Sequence, residues 1–129
     1  MPTFAHTRTL DTDLADAEER VRAALQDEGF GVLTEIDIQA TLKAKLDVET
    51  GPYKILGACN PPAAHRALEA EPLIGTMLPC NVVLRGVGDG RTEVAAIDPV
   101  ASMAAVENDG LDEIAAEIRD RLRRAVDAA

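Results

Sequence analysis

The chain has 129 residues, 47% of them apolar, and a formal net charge of −10. A single core over residues 1–129 is the expectation at this length, buried without help from disulfides or metals. The negative surface argues against nucleic acid as a partner, and no run approaches the roughly 20 apolar residues that span a bilayer.

Thr3 to Arg8 alternates weakly and is expected to form an edge strand. Leu14, Ala17, Val21, Ala24 and Leu25 then recur at helical spacing. Thr12 or Asp13 can cap that helix and Gly29 can stop it. From Phe30 to Ile38 the pattern is that of a strand, with Phe30, Val32, Ile36 and Ile38 on one face and Glu35 and Asp37 on the other. Gln39 to Leu46 reads as a short helix with Leu42 and Leu46 inward, and Gly51-Pro52 as a turn. Tyr53 to Cys59 is the second strong strand. Asn60-Pro61-Pro62 is a sharp helix start, because proline in the first turn gives up an N–H that has no partner there. Glu71-Pro72 ends this helix near Ala70.

Leu73 to Leu78 is an apolar crossing with a hinge at Gly75. Cys80 to Arg85 and Glu93 to Ile97 form a hairpin around Asp89-Gly90, since that pair accepts the positive dihedrals of a tight turn. A helical turn around Met103 and a last helix from about Asp109 close the chain. Leu111, Ile114, Ala115, Ile118, Leu122 and Val126 make the apolar stripe of that helix. The order β-α-β-α-β-α-β-β-α predicts an α+β fold of two layers, a mixed β-sheet with helices packed on one face.

Four ordered segments carry a resemblance. Gly29-Phe30-Gly31-Val32-Leu33-Thr34-Glu35-Ile36-Asp37, Leu56-Gly57-Ala58-Cys59-Asn60-Pro61, Leu78-Pro79-Cys80-Asn81-Val82-Val83 and Ala96-Ile97-Asp98-Pro99 resemble signatures of the domain-of-unknown-function family 302. The likeness runs from about Asp16 to Leu122. It implies an α+β fold with a curved sheet and a homodimer, and it implies no established activity.

The residues that carry chemistry are few. Cys59 ends a strand just before a helix start, where free N–H groups and the helix dipole would favour a thiolate. Cys80 begins another strand, and each cysteine is followed by an asparagine, Asn60 and Asn81. If the two strands are neighbours, the thiols meet at one end of the sheet. There they could hold haem or a soft metal ion such as copper, with Met77 or His65 as a further ligand, or cycle between dithiol and disulfide. Against this stands packing alone, since cysteine often merely fills space and no C-x-x-C element is present. Glu35, Asp37 and Asp98 form an acidic cluster only if their strands adjoin. The N-terminal Met1-Pro2-Thr3-Phe4-Ala5-His6 lacks a basic region followed by an apolar run, so a cytoplasmic protein with reduced cysteines is expected. The leading expectation is a non-enzymatic, homodimeric domain that binds a small ligand, haem or a soft metal near Cys59, Asn60 and Cys80, with Met77 and Ile74 as an apolar wall. The alternatives are a thiol-dependent enzyme using Cys59 and Cys80, and a structural interaction module.

Overall fold

The computed structural model describes residues 3–129; Met1 and Pro2, on which part of the N-terminal expectation rests, lie outside them. Strand β1 (Ala5–Leu10) leads into helix α1 (Leu14–Asp27). Asp13 caps this helix by accepting the Asp16 N–H at 2.9 Å. The helix stops at Gly29, whose φ of +84° is one a side chain would resist. That turn lets the Phe30 N–H reach the Leu25 carbonyl (2.9 Å) and the Gly29 N–H reach the Gln26 carbonyl (3.0 Å), a Schellman ending. Phe30 and Leu25 are both buried, so one turn closes the helix and starts the core.

The chain continues through β2 (Gly31–Asp37), α2 (Ile38–Leu46), β3 (Tyr53–Cys59), α3 (Pro61–Ala70), a 3-10 helix (Pro72–Met77), β4 (Cys80–Gly86), β5 (Thr92–Ile97), α4 (Pro99–Ser102) and α5 (Asp109–Ala128). The five strands lie in the order β1-β5-β4-β3-β2. Every pairing is antiparallel, where the sequence suggests a mixed sheet. The reason is the route of the connections. The segments through α2 and through α3 leave and rejoin the sheet at the same end, as enlarged hairpins do, whereas a parallel pairing needs a crossover along the sheet. In the β4–β5 hairpin Asp89 and Gly90 both have positive φ, 55° and 69°, and the Arg91 N–H bonds the Gly88 carbonyl at 3.0 Å, as the Asp-Gly pair predicts.

Helices α1 and α5 pack on β4, β5 and β1. They cover a face on which Leu56, Ala58, Val82, Leu84, Val94 and Ala96 are fully buried. The stripe read on α5 is buried as expected, from Leu111 to Val126. Helix α2 lies against β2 and β3 and buries no residue of its own. Leu42 is half-buried, but Leu46, expected inward, is 66% exposed. Its helix ends at Asp47 in the left-handed region, too peripheral to reach the core.

Strand β2 departs from its expected pattern through a bulge. Val32 pairs with Ala58, but Thr34 pairs with Gly57, so Leu33 is one residue too many for its partner strand. The insertion reverses the alternation. Val32 and Glu35 now share the helix-covered side, next to Ala58 and Leu56, and Ile36 turns to the other side at 45% exposure. Leu33 itself projects, 67% exposed.

On the opposite face, the middle of the sheet is bordered by no residue of a helix. Phe4, Tyr53, Val83, Ala95 and Ile97 line one shallow depression there, together with Asn81, Arg85 and Glu93. Arg85 and Glu93 are cross-strand partners joined by an ion pair of 2.7 Å.

Candidate functional site

The start of α3 determines what surrounds Cys59. Asn60 caps the helix, its Oδ1 accepting the Ala63 N–H at 3.2 Å. Pro61 and Pro62 have no N–H to offer. The Ala64 N–H goes to the Asn60 backbone carbonyl at 2.9 Å. No backbone N–H of the first turn is left over to hold an anion beside Cys59. The expectation of a thiolate fails for that reason. Burial pushes the Cys59 thiol above its ordinary value, and the thiol stays protonated at neutral pH.

Strands β3 and β4 are neighbours, and Ala58 pairs with Cys80. This brings Cys59 and Cys80 to the same end of the sheet, as the adjacency argument requires. Both are free thiols, Cys59 half-buried and Cys80 buried. Burial, and then the nearby Cys59 sulfur, push the Cys80 thiol up to about 11.

Both cysteines border a cavity of about 290 Å³ between the sheet end, α3 and the 3-10 helix. Phe30 and the bulged Leu33 form its β2 side, and Ala58, Cys59 and Cys80 its floor. Asn60, Ala64 and Leu68 come from the α3 side, Gly75, Leu78 and Pro79 from the crossing, and Ile118 from α5. No residue in this lining carries a charge. Pro79 follows a cis peptide bond and lies over Gly57, where an added Cβ would come within 2.6 Å of its Cγ and would also collide with Thr34 Oγ1.

Other residues singled out in the sequence fall elsewhere. His65 is 76% exposed at its side chain and lies 3.4 Å from Glu69, and Met77 is not in the cavity wall. Ile74, expected there as a wall, is buried in the core cluster instead. Asn81 is exposed on the open face of the sheet, so the two Cys-Asn steps do not converge. The acidic trio is dispersed. Glu35 pairs with Lys54 (2.7 Å) and Arg22 (3.0 Å). Asp37 caps α2 by accepting the Ala40 N–H. Asp98 caps α4 and meets Arg123 at 3.3 Å, just beyond β5, which β4 and β3 separate from β2. His6 bonds Asp127 at 2.8 Å. Among the described residues no group of three or more His, Cys, Asp or Glu could hold a metal ion, and no helix is long and apolar enough to cross a membrane.

Sequence reasoning marked Cys59, Asn60 and Cys80 but missed Leu33, Leu68, Pro79 and Ile118. The i, i+4 spacing of Ala64 and Leu68 on one helix face was the one available signal.

No curated protein matches the chain. A crystal structure of an uncharacterized conserved protein DUF302 from Bacillus stearothermophilus is similar over 98% of both chains, with 32% identity and a TM-score of 0.91. The sequence profile described as Domain of unknown function DUF302 matches residues 6–129, and with the whole fold in agreement the chain belongs to that family.

Proposed function

We propose that the protein is a non-enzymatic binding domain for a small, apolar molecule, and that it acts as a homodimer. The cavity bordered by Cys59, Asn60 and Cys80 carries this reading. Its size is at the small end of ligand sites, and its wall is apolar with few polar groups, as such sites are. The thiols serve as soft, neutral wall atoms.

The other readings draw less support. Haem or a soft metal ion would need thiolates or further donors at the cavity, and His65 and Met77 stand outside it. A redox enzyme would need an attacking thiolate, and burial raises both thiols.

The dimer reading rests on the open face of the sheet. Its depression is apolar, and its two charges neutralise each other through the Arg85–Glu93 pair. Two chains of net charge −10 repel over most of their surfaces, and a neutral apolar face is where they can approach.

The test of the ligand reading is an NMR titration with 2-acetylnaphthalene as probe. Movement of the Cys59, Asn60 and Cys80 amide signals with a saturable curve is the expected result. Signals that stay still at the solubility limit of the probe would sink the reading.

A further inference from the structure

We infer that the cavity selects uncharged molecules of about a dozen non-hydrogen atoms and excludes anions and cations of the same shape; the inference rests on the ligand-binding reading and narrows it to a chemical class. Size comes first. A cavity of about 150 Å³ takes up benzene, so the 290 Å³ here has room for roughly twice that, a fused bicycle or a short branched chain.

Charge comes from two independent observations. The wall contains no charged side chain, and burying an ion without a partner is costly. The helix start that borders the cavity would ordinarily welcome an anion through its free N–H groups. Here Pro61 and Pro62 lack them, and the Ala63 and Ala64 N–H groups are both spent on Asn60. The cations nearest in sequence are also occupied elsewhere: Arg66 pairs with Glu117, and Lys54 with Glu18 and Glu35. Neither sulfur supplies a negative charge for a cationic ligand, since burial keeps both thiols protonated.

The test uses one frame with three heads. The full chain is titrated at neutral pH with 2-acetylnaphthalene, 2-naphthoate and 2-(aminomethyl)naphthalene, which carry a neutral ketone, a carboxylate and an ammonium group. Binding is read from the Cys59, Asn60 and Ala64 amide signals. The ketone is expected to bind, and both charged probes to bind more than about tenfold more weakly. Ala64→Phe, which fills the cavity from α3, is expected to abolish binding of the ketone. Should that variant fail to fold by circular dichroism, Leu68→Trp at the half-exposed rim serves the same purpose. Naphthoate or the amine binding as tightly as the ketone at these residues would overturn the charge selection and leave the binding reading standing. If none of the three probes moves these residues, both fall together.

Discussion

Ala58 and Cys80 face each other across the β3–β4 ladder, and both are buried. The thiol there is held among apolar groups, and its ionisation is pushed up from near 9 to about 11. The folded protein therefore keeps this proton at a pH where the unfolded chain has lost it. Stability from this group is fully present below the unfolded value and is lost as pH rises through the folded one. The slope is about 1.4 kcal/mol per pH unit, so roughly 2–3 kcal/mol disappears over this interval. Urea unfolding of the wild type and of Cys80→Ala checks it. The wild type is expected to lose more stability than the variant between pH of about 8 and about 11. Parallel curves for the two proteins would refute the assignment.

Gly57 has no room for a side chain, because Pro79 Cγ would lie 2.6 Å from its Cβ and Thr34 Oγ1 would collide with it. Gly57→Ala must push the crossing away from the sheet. The expected cost is about 1–3 kcal/mol, typical of overpacking. Because Pro79 is also part of the cavity wall, the same variant should weaken 2-acetylnaphthalene. Gly31→Ala is the control, since nothing lies within 4 Å of its Cβ position. Equal melting temperatures for the two variants would contradict the packing account.

Much of this architecture is legible in the sequence because its boundaries are set by local chemistry. Asp13, Gly29, Asn60 with its two prolines, Glu71-Pro72 and Asp89-Gly90 all act within a few residues of themselves. What could not be read depends on partners far along the chain. The bulge at Leu33 exists only relative to Ala58 and Gly57 of β3, and without it Val32 and Ile36 look alike. The cavity is harder still, because apolar periodicity predicts which residues pack and is silent on where packing is incomplete. His65 illustrates the point on one helix. It follows Ala64 directly, but each residue turns the helix by about 100°, so Ala64 and Leu68 border the cavity and His65 faces solvent.

Lys54 ties three elements together. Its Nζ lies 2.7 Å from Glu18 of α1 and 2.7 Å from Glu35 of β2, and Arg22 meets both carboxylates. Burial acts to raise the Glu18 carboxyl, but the hydrogen bonds and charges of Lys54 and Arg22 outweigh it and hold Glu18 below its usual range. Its stabilisation is therefore present above the usual carboxylate value and is lost as pH falls through the lowered one. Glu18→Gln should flatten the acid limb of the stability curve. Lys54→Met, which leaves Glu18 mostly buried with Arg22 as its remaining partner, should cost about 1–3 kcal/mol at neutral pH. Chemical denaturation across the acid range checks both, and an unchanged acid limb in Glu18→Gln would count against the network.

Val83 sits near the middle of the open sheet face, between Ile55 of β3 and Ala95 of β5 in register. It is half-buried by its neighbours on the sheet, and no helix packs over the depression it lines. Val83→Glu would place an unpaired carboxylate at the centre of a dimer contact on this face, where a like charge from the second copy meets it. In a monomer the same carboxylate would stay in water at little cost. The expected outcome is a protein that sediments with the mass of one chain, 13.7 kDa, while the wild type sediments with twice that mass. Circular dichroism and melting temperature should show the variant still folded. Val83→Thr keeps the shape without the charge and should stay associated. A wild type that sediments as a single chain at every concentration would remove the dimer, and a Val83→Glu protein that remains paired would move the interface to another surface.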